Sequence, residues 1–156
     1  MKFTPGQAQE ILRLSPATFR HWKGALPPLG GRNGYAPCFT LGDLLAMAVV
    51  KILTEDVAIR VGSLHTLALE LFEHCARNSW AGLERMTLII ELAPARVSSI
   101  PETQPVPLDG LAISIPLRPL IAVLRARLLL ERAETQQETL RFPPTAIAST
   151  RRRQGP

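Results

Sequence analysis

The sequence predicts an α+β chain, mainly α, and three observations lead to that reading. Apolar residues recur at helical spacing through much of the first 77 residues and again from Leu117 to Leu130. Two shorter stretches, Met86–Leu92 and Leu111–Ile115, alternate instead as strands do. Between these segments Pro, Gly and Asn collect at 24–37 and Pro at 94–107, where turns and loops are expected.

At 156 residues the chain is long enough for one domain with a full core, or for a small domain with an appendage. A hydrophobic fraction of 46% implies folded structure over most of the length, and with aromatics at 5% the core must be mainly Leu, Ile, Val and Ala. No run of about 18 apolar residues is present, so no membrane span is expected. The N-terminal stretch lacks the apolar core of a signal peptide. Two cysteines, Cys38 and Cys75, make no disulfide framework and fit a reducing cytoplasm. The net charge of +5 is uneven: residues 1–40 hold five bases and one acid, residues 41–100 five bases and seven acids, and residues 101–156 eight bases and five acids. The two ends are therefore the candidates for a polyanion, and the middle is not.

The first helix should begin at Thr4. Thr4-Pro5-Gly6-Gln7 has a cap residue, proline at the first helical position and Gln three residues after the cap, a capping box. Ala8, Ile11 and Leu12 then share one side of a helix running to about Leu14. The second helix starts almost at once: Ser15 is its cap and Pro16 its first residue. Phe19 and Trp22 share its buried face, while Thr18, Arg20, His21 and Lys23 lie nearer the other sides. Two short helices joined this tightly cross at a large angle, as in a helix-turn-helix. Gly24 is the expected C-cap, and Pro27 and Pro28 prevent continuation.

Gly30-Gly31-Arg32-Asn33-Gly34-Tyr35 is turn chemistry and predicts a small two-stranded wing, with Arg32, Asn33 and Tyr35 near its tip. A third helix is expected from Thr40, with Asp43 completing its cap and Leu41, Leu44, Leu45, Ala48, Val49, Ile52 and Leu53 forming its core face. A further amphipathic stretch runs from Ala58 to Arg77, weakened at its start by Gly62. The strands at 86–92 and 111–115 follow, separated by a long, irregular, proline-rich loop. They can pair with each other or with a second subunit. Pro116 then starts a helix whose stripe is Leu117, Leu120, Ile121, Leu124 and Leu128. That stripe needs a partner: either the chain's own strands or a second copy, as a homodimer interface. From about Gln136 periodicity is lost. The basic tail, with Arg151, Arg152 and Arg153 as candidate phosphate contacts, is expected to be disordered.

Residues 3–53 resemble the MerR-type winged helix-turn-helix domain. The resemblance rests on Phe3-Thr4-x-x-Gln7-Ala8, Leu14-Ser15-Pro16-x-Thr18-Phe19-Arg20-His21-Trp22, Leu26-Pro27, Gly31-Arg32-Asn33-Gly34-Tyr35 and Phe39-Thr40-x-x-Asp43-Leu44. It covers about a third of the chain. It implies that Phe19 and Trp22 face the core while Thr18, Arg20, His21 and Arg32 face DNA. The sequence departs from the family after the wing aromatic, where Ala36 and Pro37 stand in place of a second arginine.

No enzyme is expected. Gly30-Gly31-x-x-Gly34 lacks the Lys-Ser/Thr of a phosphate loop. His74 and Cys75 are adjacent, so on a helix they diverge by about 100° and make poor co-ligands of one metal. No catalytic residue, cofactor, metal or small-molecule effector is indicated.

The organisation expected is a winged helix-turn-helix followed by a helix (1–80), a strand-strand-helix region for dimerisation or partner binding (81–135), and the tail (136–156). The function expected is sequence-specific binding of double-stranded DNA by a cytoplasmic, nucleoid-associated homodimer of bacterial or phage type. It would act as a transcriptional regulator that represses by occupancy. The expected DNA contacts are Thr18, Arg20, His21, Lys23, Arg32, Asn33 and Tyr35. Two other readings stay open: a phage-type excisionase or small-terminase-like DNA-binding protein, and a protein–protein adaptor that uses the C-terminal region.

Overall fold

The computed structural model describes residues 1–32, 34–106 and 110–139. A short strand, β1 (Lys2–Phe3), leads into helix α1 (Pro5–Leu12). The Thr4 capping box forms as expected: Gln7 N–H donates to Thr4 Oγ1 at 3.2 Å, and Thr4 N–H to Gln7 Oε1 at 3.0 Å. The helix stops at Leu12, short of Leu14, because Arg13 turns left-handed (φ 51°) and Leu14 N–H returns to the Gln9 carbonyl.

Helix α2 (Pro16–Ala25) is capped by Ser15, whose Oγ accepts the Thr18 N–H at 3.0 Å. It runs past Gly24, which is helical and not the C-cap. The stop comes from Pro27, which forces Leu26 into an extended conformation, after which Pro27–Leu29 form one 3₁₀ turn.

The expected two-stranded wing is not found among the described residues. Strand β2 (Phe39–Thr40) pairs instead with β1, in the antiparallel register Lys2↔Thr40 and Phe3↔Phe39. The segment before it is a loop, with Gly31 and Gly34 at positive φ (74° and 96°). No alternating apolar residues flank it, and Pro37 has no N–H to give to a ladder.

Helix α3 (Leu41–Glu55) is the centre of the molecule. Its Thr40–Asp43 capping box is complete, with Thr40 N–H donating to Asp43 Oδ2 at 2.8 Å and Asp43 N–H to Thr40 Oγ1 at 3.2 Å. Every residue from Gly42 to Val50 is buried, so this part of the helix is enclosed on all sides. Against it pack α1, α4 (His65–Arg77) and α6 (Leu117–Thr139). The helix expected over 58–77 begins only at His65, after a 3₁₀ turn at Val61–Leu64. A four-residue helix, α5 (Trp80–Leu83), follows; its Trp80 Nε1 donates to the Leu41 carbonyl at 3.0 Å.

The C-terminal region is strand-strand-strand-helix, one strand more than expected. Strands β3 (Met86–Glu91), β4 (Arg96–Pro101) and β5 (Ala112–Pro116) form an antiparallel sheet in the order β4-β3-β5. Strand β4 lies inside the segment expected to be an irregular loop. Its Val97-Ser98-Ser99-Ile100 run carries little apolar signal, and pairing with the edge of β3 makes it a strand. Leu88 and Ile90 of the central strand are fully buried. Leu92 and Leu111, expected on the apolar face, fall outside the strands and are exposed.

Helix α6 returns across the sheet onto α1 and α3 and continues through Thr139, past the expected boundary at Gln136. One hydrophobic cluster reaches from Phe3 to Leu124 without a break near residue 80. The rest of the tail, including Arg151, Arg152 and Arg153, lies outside the described residues.

Gly42 is where α3 and α4 come closest. A Cβ there would lie 2.7 Å from the Cys75 carbonyl oxygen and 3.0 Å from Ala76 Cα. Gly42→Ala should therefore destabilise the fold by about 1–3 kcal/mol through overpacking. Gly24→Ala meets no atom within 4 Å and should stabilise by up to about 1 kcal/mol through helix propensity. Urea unfolding of the two variants checks both signs.

Candidate nucleic-acid interface

Helix α2 is seated by its aromatics. Phe19 and Trp22 are buried, and Phe19 meets Phe39 edge-on with ring centroids 5.8 Å apart. The α1–α2 turn is held from behind by two distant cations. Lys51 Nζ donates to the carbonyls of Leu12 (2.9 Å) and Arg13 (3.2 Å), and an Arg127 guanidinium nitrogen to that of Ile11 (2.9 Å). These are the free carbonyls at the end of α1, where positive charge is favoured. Burial, and then the charge of Arg13, lower the Arg127 pKa. Nothing local in the sequence announces these anchors, because they come from α3 and α6.

The expected contact residues divide. Arg20 and His21 are exposed on the outer face of α2. Lys23 is half-buried, with its Nζ 5.9 Å from the centre of the Phe19 ring. Thr18 is half-buried and its hydroxyl lies 2.8 Å from Ser15 Oγ, so it serves the helix cap. Tyr35 is 98% exposed on the loop. Asn33 lies outside the described residues.

Arg32 differs most from expectation. It is not at a wing tip; it turns inward, 2.8 Å from Asp43 Oδ2, with a weaker hydrogen bond to the Cys38 carbonyl (3.4 Å) and its guanidinium 5.4 Å from the centre of the Phe39 ring. Its charge is neutralised at the start of α3, and it ties the loop to the core. The residues that hold the site include Asp43, the one charged side chain buried among the described residues.

The electrostatic character of this surface comes as much from missing acids as from bases. Between Glu10 and Asp43 the chain contains no carboxylate, while Arg13, Arg20, Lys23 and Arg32 fall in that interval. With Arg32 paired internally, Arg13 and Arg20 are the exposed bases of that interval on and beside α2.

The stripe expected to form a dimer interface does not serve as one. Leu117, Ile121 and Leu124 are buried inside the chain, and Leu120 and Leu128 pack half-buried against the same core. The helix found its partner in α1 and α3 of its own chain.

Among the described residues no group of three His, Cys, Asp or Glu is placed to hold a metal ion. His74 and Cys75 diverge as expected. His74 Nε2 lies 3.2 Å from Ser99 Oγ, linking α4 to β4, and its pKa is lowered by burial and then by Arg77. Cys75 is enclosed against α3; burial, and then the charge of Asp43, push its thiol up to about 12. A thiol held protonated in this way is inert as a nucleophile or ligand. No helix among the described residues is long and apolar enough to cross a membrane. Comparison of the chain with protein-family models, with curated proteins and with solved structures gives no match.

Asp43→Ala removes the carboxylate half of the α3 capping box and strands the Arg32 charge. It should cost about 2–3 kcal/mol, below the full range for a broken buried pair because the Arg32 side chain is 30% exposed. Arg32→Ala should cost less, and the double variant less than the sum of the two, as thermal unfolding of all three would show.

His74 gives the fold a pH dependence of definite sign. Its charged form is disfavoured in the native state, so its folded pKa lies below the ordinary 6.5. Its contribution is fully present above that value and declines as pH falls through the folded pKa. Urea midpoints measured at roughly pH 7.5 and pH 5 should fall further for the natural chain than for His74→Gln.

Proposed function

We propose that this chain binds double-stranded DNA through a helix-turn-helix like that of MerR-type domains, with α2 entering the major groove. The carrying observation is the division of α2 into two faces. Phe19 and Trp22 fix one face in the core, and the other presents Arg20 and His21 from a helix without a carboxylate. The tight left-handed turn at Arg13 joins α2 to α1, and the Lys51 and Arg127 anchors fix that turn against α3 and α6. Such rigidity suits a reading helix, since base-edge contacts demand fixed side-chain positions.

In this reading Arg20 contacts a base edge or phosphate, His21 reads a base edge, and Lys23 adds a phosphate contact near the end of the helix. Tyr35 reaches the adjacent backbone from the loop. Thr18 and Arg32, whose polar groups are engaged within the chain, organise the surface. Occupying a site in this way is enough to block transcription, so repression by occupancy is the regulatory outcome we assign.

The test is fluorescence anisotropy of the full chain on duplex DNA over a range of salt. Arg20→Ala should weaken binding about 5–10-fold and lower the salt slope by about 1. His21→Ala should cost about 1–3 kcal/mol on a cognate site and little on a random one. The proposal fails if duplex is not bound at about 50 mM salt, or if both variants bind as the natural chain does.

A further inference from the structure

Arg13 occupies a position that suits glycine. It ends α1 in the left-handed conformation, with φ 51° and ψ 51°, and its backbone N–H closes the helix on the Gln9 and Glu10 carbonyls. A side chain there crowds the carbonyl that follows, so glycine or asparagine usually fills such a helix end. Arginine is therefore an unfavourable residue for this turn. A backbone outlier of this kind points to a use beyond the fold.

The fold makes no use of the side chain. An arginine near a helix end ordinarily serves the last carbonyls or a neighbouring carboxylate. Here those carbonyls are already taken. Lys51 Nζ holds those of Leu12 and Arg13 at 2.9 and 3.2 Å, and Arg127 holds that of Ile11 at 2.9 Å. Among the described residues the exposed Arg13 guanidinium has no ion pair and no hydrogen bond. Its neighbour across a cavity of about 230 Å³ is Arg127, and the two charges repel: burial, and then the charge of Arg13, lower the Arg127 pKa.

Charge and position identify the partner. Glu10 and Glu131 line the same cavity, so it carries as many carboxylates as guanidinium groups and does not suit a small anion. A polyanion differs, because it draws an exposed base without entering a cavity. Only Leu14 separates Arg13 from Ser15, the cap of α2. We propose that Arg13 contacts a backbone phosphate of duplex DNA at the border of the groove that α2 enters, gripping the strand from the turn between the two helices. This contact rests on the DNA reading above. It supplies, from the turn, a grip that Arg32 does not give from the loop, since Arg32 is paired to Asp43.

The experiment is anisotropy of the full chain on duplex DNA over a range of salt, with Arg13→Gly, Arg13→Lys and Arg20→Ala, beside thermal unfolding of each variant. Arg13→Gly should weaken binding about 5–10-fold, on random duplex as on a cognate site, and lower the salt slope by about 1. Its thermal midpoint should rise, because glycine fits the left-handed turn. Arg13→Lys should keep most of the affinity and the slope, since a phosphate accepts a point charge. Weaker binding together with higher stability is a pair of changes that a purely structural arginine does not give. Unchanged affinity and slope in Arg13→Gly overturn the contact; if Arg20→Ala binds weakly in the same series, the DNA reading stands without it. A lowered midpoint in Arg13→Gly also overturns it, since the side chain then supports the fold. No binding by the natural chain at about 50 mM salt overturns both readings.

Discussion

The carboxylate of Asp43 ties the start of the central helix to the loop before it and to the aromatic contacts beneath α2. It accepts the Thr40 N–H and hydroxyl, which starts the central helix, and it pairs with Arg32, which fixes the loop. Arg32 in turn lies over Phe39, and Phe39 meets Phe19 of α2. A path of direct contacts thus runs from the start of α3 to the helix that faces outward. A carboxylate this well buried is tolerable because each of its contacts is a hydrogen-bond donor or a cation.

Several of the chain's bases serve the fold. Lys51 and Arg127 close the end of α1, and Arg32 closes the loop. Each is held by helix-end carbonyls or by a carboxylate of its own chain. A count of positive charge therefore overstates what remains for a polyanion. Around α2, the chain itself carries no acid between Glu10 and Asp43. Placement, more than total charge, is what supports a nucleic-acid reading.

The two halves of the chain are welded by α6. Its Leu117–Leu124 stripe closes a core begun by α1 and α3, so the sheet and the N-terminal helices share one interior.

The sequence by itself determined the starts of α1, α2 and α3. Thr4, Ser15 and Thr40 cap as their local patterns require, because a cap is a contact over three residues and is written in consecutive positions. It also determined the buried aromatics of α2 and the central strand, through periodicity. Only the tertiary structure decided where long-range partners lie. Strand β4 exists because β3 offers an edge, β2 pairs with β1 across the intervening helices, and Arg32 turns inward because Asp43 is there. The stripe of α6 is buried because α1 and α3 reach it, over a hundred residues away for Ile11 and Arg127. Such pairings depend on shape in space, and local residue patterns carry no record of which distant group will arrive.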